Sequence, residues 1–283
     1  MKTQEYIVRD ATALAELVAS GEVTPSELLE CAIEQIEKHN PALNAVIYTD
    51  FDAARAEATK ARNDVPFPGI PFLLKDLGAG NRRGDPLHMG TRLLRDANFR
   101  AKTTSYLVED FERAGLLPIG RTNVPELGAW ASTEPEAYGP TRNPWNRDHS
   151  SGGSSGGAAA AVAAGFVPLA HASDGGGSIR NPASQCGLIG LKPSRGRLSL
   201  GPDSGEGWAG LINEFAVTRS VRDTARLLDA VEGTRPGDPY RSASPSRPYA
   251  QEVGADPGAL RIGILTEAPD LAVHPDCVAA ALS

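Results

Sequence analysis

Two glycine clusters that enclose serines, and one lysine set among large apolar residues, are the parts of this 283-residue chain able to do chemistry. In Asp174-Gly175-Gly176-Gly177-Ser178-Ile179-Arg180, three successive glycines leave backbone N–H groups free to converge on one point, as the oxyanion of acyl transfer requires. Ser178 ends that row and is the candidate nucleophile. A serine hydroxyl attacks a carbonyl only when a base takes its proton. None of His39, His88, His149, His171 and His274 offers an obvious one. The best remaining candidate is Lys75, in Gly69-Ile70-Pro71-Phe72-Leu73-Leu74-Lys75-Asp76-Leu77. A desolvated lysine gives up its proton, as arginine does not, and the chain holds only six lysines against 22 arginines. The same lysine can instead lay its stem on apolar surface and pair with Asp76.

The other cluster, Gly152-Gly153-Ser154-Ser155-Gly156, spells the G-x-S-x-G nucleophile elbow, but that turn follows a buried strand. Here the polar run Asn146-Arg147-Asp148-His149-Ser150-Ser151 precedes it. Neither cluster continues into a Walker A lysine or fits the dinucleotide fingerprint, and both could be tight turns with incidental serines. No His, Cys and carboxylate group has metal-ligand spacing, so neither a metal nor an organic cofactor is expected.

These residues need a scaffold, and the composition can build one. At 41% hydrophobic and 22% charged, the chain reads as an ordinary globular protein with a substantial core. A net charge of −7 and the lack of any basic run argue against a nucleic-acid partner. Cys31, Cys186 and Cys277 are odd in number and far apart, which suits reduced thiols in a cytoplasm. The start, MKTQEYIVRD, lacks the apolar core of a signal peptide. Residues 156–172 carry no charge, yet they are mostly Gly and Ala and short for a span; they read as buried core, and no membrane partner is expected.

Helices are predicted over 11–19, 25–38, 52–62, 103–114 and 221–231, and strands over 43–48, 116–120 and 260–265. Thr24-Pro25-Ser26-Glu27 forms a capping box for the second helix. Residues 122–145 read as a long loop region, marked by proline and glycine, that lines a pocket or covers the core. Residues 236–257 read as a surface excursion. Another helix start falls at His274-Pro275-Asp276, about two turns before the last residue, which suggests a fragment. Alternation of helix and strand argues an α/β layered domain.

Lys75 in GIPFLLKDL, Ser154 in GGSSGG and Ser178 in SDGGGSIRNPAS, in that order, resemble the amidase signature family, and the resemblance runs from about residue 10 to the end. It implies a Ser-cisSer-Lys triad: Ser178 the acyl-forming nucleophile, Ser154 the bridging serine after a cis peptide bond, Lys75 the base. Gly175, Gly176 and Gly177 with Ser178 would supply the oxyanion-hole amides, with Ser155, Asp174 and Arg180 in support. Small departures occur at Ala158, Ala172 and Ser173, where the family commonly has serine, glycine and threonine. The implied fold is α/β, a mixed β-sheet core enclosed by α-helices, as a single domain over 1–283 that lacks the C-terminal portion of full-length members.

The implied activity is hydrolysis of a small carboxylic amide, linear or cyclic, through a serine acyl-enzyme. A small-molecule amide is the expected partner, and a homodimer is compatible with the sequence. The loop TEPEAYGPTRNPW, His171 and Ser246 to Gln251 resemble a member acting on a cyclic amide, although such loops tune pockets without fixing the substrate. Two other readings stay open: the A subunit of a glutamyl-tRNA amidotransferase, and a non-catalytic remnant of the fold.

Overall fold

A computed structural model describes residues 1–283. Six strands form one sheet: β1 (Val46–Thr49), β2 (Ile70–Lys75), β3 (Leu116–Thr122), β4 (Leu169–Asp174), β5 (Ile189–Gly190) and β6 (Asn213–Thr218). Their order across the sheet is β1-β3-β2-β4-β6-β5. β3, β2 and β4 run parallel, while β1, β6 and β5 join antiparallel to their neighbours, so the sheet is mixed as expected.

Ten helices accompany it. They are α1 (Thr3–Ile7), α2 (Ala11–Ala19), α3 (Pro25–Leu43), α4 (Phe51–Ala58), α5 (Arg92–Asp96), α6 (Tyr106–Arg113), α7 (Gly156–Ala163), α8 (Arg180–Cys186), α9 (Val221–Val231) and α10 (Pro275–Leu282). The sequence predicted α2, α3, α4, α6 and α9 and the start of α10, whereas α1, α5, α7 and α8 were not predicted as helices. Thr24 and Glu27 exchange the two bonds of a capping box at the head of α3. That helix runs past the expected end to Leu43 and closes on Asn44 in the left-handed region, φ 52°. Asn40 Oδ1 then accepts from Ala45 and Val46 N–H, both at 2.9 Å, and the strand predicted from residue 43 begins only at Val46.

The all-small helix α7, Gly-Gly-Ala-Ala-Ala-Ala-Val-Ala, is buried along residues 156–162 and packs against β1, β2, β3, β4 and β6. A helix without a polar face belongs inside a protein, and small side chains let it approach closely. α9 packs on α2 and α6, and the three lie on β2, β3 and β6. Asp223 of α9 ties the first turn of α2 to this group, accepting from Ala11 N, Thr12 N and Thr12 Oγ1 at 2.8, 2.8 and 2.6 Å.

The chain divides into two units, Met1–Val253 and Gly254–Ser283. The single domain expected over 1–283 is thus a sheet-bearing unit and a short C-terminal one. Within the second, the buried strand predicted at 260–265 does not form: Ile262 and Leu265 are 78% and 83% exposed, and no strand of that unit pairs with them. Apolar residues make a strand only where a neighbour takes their backbone groups. No helix is long and apolar enough to cross a membrane.

Candidate active site

Because β2, β3 and β4 are parallel, their carboxyl ends gather at one edge of the sheet, where open α/β sheets bind ligands. Lys75 is the last residue of β2, and Ser173 and Asp174 are the last two of β4. Ser154 and Ser155 stand just before α7, and residues 175–179 lead from β4 into α8. The peptide bond between Gly153 and Ser154 is cis.

Lys75 is 0% exposed, and its Nζ meets three hydroxyls: Ser154 Oγ at 2.8 Å, Ser155 Oγ at 2.9 Å and Ser173 Oγ at 2.8 Å. The alternative pairing with Asp76 does not form, because Asp76 is turned to Arg121 Nε at 3.4 Å and to the His88 N–H at 2.9 Å. Burial, opposed by the charges of Glu214 and Asp174, lowers the pKa of Lys75 from 10.5 to about 7. The amine is therefore a base near neutral pH.

Counting hydrogens fixes one of the three hydroxyls. A neutral amine donates two hydrogen bonds and accepts one, whereas an ammonium donates three. The Ser155 hydroxyl donates to the Ser173 carbonyl and accepts from the Ser173 N–H, both at 3.3 Å, so toward Lys75 it is an acceptor. Ser154 and Ser173 have no other side-chain partner for their hydroxyls. A neutral amine then takes a hydrogen from either Ser154 or Ser173, and the first of these is the orientation that a proton relay through Ser154 needs.

Asp174 organises the glycine loop. Its Oδ1 accepts from Gly177 N at 2.7 Å and Arg180 Nη2 at 2.9 Å, its Oδ2 from Ile179 N at 3.2 Å and Arg180 Nε at 2.9 Å. Burial alone would raise this carboxyl, but Arg180 and the amides outweigh it and hold it at about 2. One expected donor is thereby removed from the oxyanion row: the Gly177 amide is already committed to Asp174. The amides of Gly175, Gly176 and Ser178 make no backbone hydrogen bond. Gly177 lies at φ +117°, and a Cβ on it or on Gly176 would meet nothing within 4 Å, so the loop faces open space.

Ser178 is partly buried, and none of the chain's side-chain hydrogen bonds involves its hydroxyl. The structure thus joins Lys75 to Ser154 and Ser155, supports the loop through Asp174 and Arg180, and leaves Ser178 unbonded at its tip. Three residues of the cluster went unassigned from sequence: Ser173, His171 and Glu214. His171 Nε2 lies 2.9 Å from Glu214 Oε2, and both side chains are buried.

A family model described as Amidase matches residues 27–283. This chain belongs to the amidase family. It is 49% identical to a 6-aminohexanoate-cyclic-dimer hydrolase of Paenarthrobacter ureafaciens, over 277 residues that make 96% of this amidase-family chain and 56% of that protein. A solved structure of 6-aminohexanoate cyclic dimer hydrolase complexed with substrate superposes with a TM-score of 0.92 at 47% identity, covering 97% of this chain and 57% of that one. A bacterial aryl acylamidase of the amidase signature family gives 0.78 at 37% identity, covering 83% and 50%. The chain thus spans about half the length of these hydrolases, and the family and mixed α/β sheet read from the motifs both hold.

Proposed function

We propose that this chain carries the catalytic centre of an amidase that hydrolyses a small carboxylic amide, linear or cyclic, through an ester on Ser178. The observation that supports this best is the buried Lys75 surrounded by three hydroxyls with no carboxylate in contact. Neutral Lys75 takes the Ser154 proton as Ser154 takes that of Ser178, and the freed Ser178 oxygen attacks the amide carbon. The carbonyl oxygen gains the negative charge and is met by the amides of Gly175, Gly176 and Ser178. The proton returns through Ser154 to the leaving amine, the C–N bond breaks, and water resolves the ester by the same relay.

Apolar side chains border this point. Trp208 packs beside Gly175, where an added Cβ would lie 2.9 Å from its Cε3. Leu127 and Trp130, both largely exposed, sit on a segment whose Gly128 would place a Cβ 3.3 Å from Ser154 Oγ. Such a rim suits an amide with an aliphatic or aryl body. The cyclic dimer of 6-aminohexanoate, named in the 49%-identical relative, is the first compound to try.

Reaction with a fluorophosphonate tests the centre without knowledge of the substrate. Ser178 should be the labelled residue, and Lys75→Ala should abolish labelling. A label on another serine, or one indifferent to Lys75, overturns the assignment.

A further inference from the structure

The backbone around Lys75 is held by side chains where a strand would be expected. β2 and β4 run parallel yet pair only at Leu73 and Ala170. Residues two apart in a strand direct their backbone groups to the same neighbour, so Lys75, like Leu73, faces β4. There its N–H meets the ring of His171, Nδ1 at 3.2 Å. Its carbonyl accepts from Arg121 Nη2 at 2.9 Å.

Behind the ring stands Glu214. Its β6 position is directly opposite Ser173 of β4, and the two-residue period puts His171, Ser173 and Glu214 on one face. Glu214 Oε2 bonds His171 Nε2 at 2.9 Å, and Oε1 accepts from the Ala79 N–H at 3.1 Å. The turn at residues 78–80 is wrapped tightly over the pair: a Cβ on Gly80 would fall 2.4 Å from the Lys75 carbonyl and 2.8 Å from His171 Nδ1.

These contacts fix the chemistry of the ring. Since Nδ1 accepts from a backbone N–H, the ring hydrogen is on Nε2 and is donated to Glu214. Burial keeps the imidazole neutral by lowering its pKa. Both nitrogens are occupied, so His171 is no shuttle for substrate protons.

Three carboxylates lie around Lys75: Asp76, Asp174 and Glu214. Asp174 on β4 is paired with Arg180, and Asp76 after β2 is paired with Arg121 of β3. Glu214 is the carboxylate of this group whose side-chain partner is a neutral ring instead of a cation.

We propose that Glu214 and His171 form a positioning pair for Lys75. His171 holds the lysine backbone in the gap between two strands, and Glu214 behind it supplies the countercharge that the ammonium lacks in direct contact. The pair acts at the moment the proton arrives: the cation that forms has only hydroxyls against it, and Glu214 favours it through space. This rests on the reading of Lys75 as the base.

The test is the rate of Ser178 labelling by a fluorophosphonate as a function of pH. Glu214→Gln removes the charge and keeps the shape, so Lys75 becomes a weaker base; the acid limb should move down by about one pH unit and the plateau rate fall about tenfold. His171→Leu, which leaves the Lys75 N–H without an acceptor, should slow labelling about tenfold or more at every pH. His171→Asn offers an oxygen near the place of Nδ1 and should recover most of that loss.

A purely structural pair would lower the melting temperature of Glu214→Gln and leave its limb in place, and that result overturns the proposal. If Glu214→Gln does not melt cooperatively, the two His171 variants decide: equal rates for Leu and Asn overturn it as well. Wild-type protein that never labels at Ser178 instead removes the underlying assignment of the base, an outcome distinct from an unmoved limb in a labelled variant.

Discussion

The sheet-bearing unit buries two ionisable groups in matching ways, each with three short hydrogen bonds, and they behave differently. Asp223 takes two backbone N–H groups of α2 and the Thr12 hydroxyl. Lys75 takes three serine hydroxyls. A backbone amide can only donate, so two of the three partners of Asp223 suit an acceptor and no other state. Hydroxyls both donate and accept. Around Lys75 they can turn to satisfy an ammonium or an amine, so the proton can leave and return without stranding a buried polar group. Under the proposed function one cluster is a clamp and the other a relay, and the partner type decides which.

The largest effect expected of this contrast is at Lys75. Replacing it by Ala should cut the labelling rate of Ser178 by about 10⁴-fold, the scale on which members of a catalytic unit fail singly. Stability should respond in the opposite sense. The folded pKa of about 7 lies below the ordinary 10.5, so between those values the unfolded chain binds the extra proton and stability rises with pH. Lys75→Met, which keeps the apolar stem, should remove that rise and melt no lower than wild type at pH 7. A Lys75→Met protein that melts well below wild type there would place Lys75 with the clamps.

Asp223→Ala is the counterpart. It orphans two buried amide N–H groups at the head of α2 and should destabilise the protein by about 2–4 kcal/mol. Labelling of the folded protein at low temperature should be unchanged. Chemical denaturation and labelling, read side by side, separate the two.

What could be read from the chain before its fold was known follows the same divide between local and non-local signals. Lys75, Ser154 and Ser178 each announce themselves through their immediate neighbours: an apolar run around a cation, or glycines around a hydroxyl. Helix starts were equally local, as at Thr24 and Glu27. Glu214 was silent, because its meaning depends on the register that sets β6 against β4, and nothing near residue 214 encodes which residue lies opposite. His171 and Ser173 were visible as residues, but their roles come from the same register and from the gap between β2 and β4. The commitment of the Gly177 amide to Asp174 depends on a loop conformation that three glycines leave undetermined. The segment at 260–265 failed for the converse reason: its composition favours a strand, and pairing, not composition, makes one.

The smallest expected effect gives the most exact comparison, since it removes one hydroxyl from each cluster. Ser173→Ala takes an acceptor from the Lys75 ammonium and leaves an amine hydrogen free to turn toward Ser154, in competition with the orientation the relay needs. The labelling rate should fall by about three- to tenfold, and its acid limb should move to lower pH, because the protonated form has lost a partner that the neutral form needs less. The melting temperature should barely change, since Ser155 and Ser154 still hold the amine. Thr12→Val removes the hydroxyl from Asp223 and should do the reverse, costing about 1 kcal/mol of stability with rate and limb intact. Should Ser173→Ala lower the melting temperature while sparing the rate, the hydroxyls around Lys75 would be clamps like those of Asp223, and the distinction between donors that are fixed and donors that can turn would not explain this site.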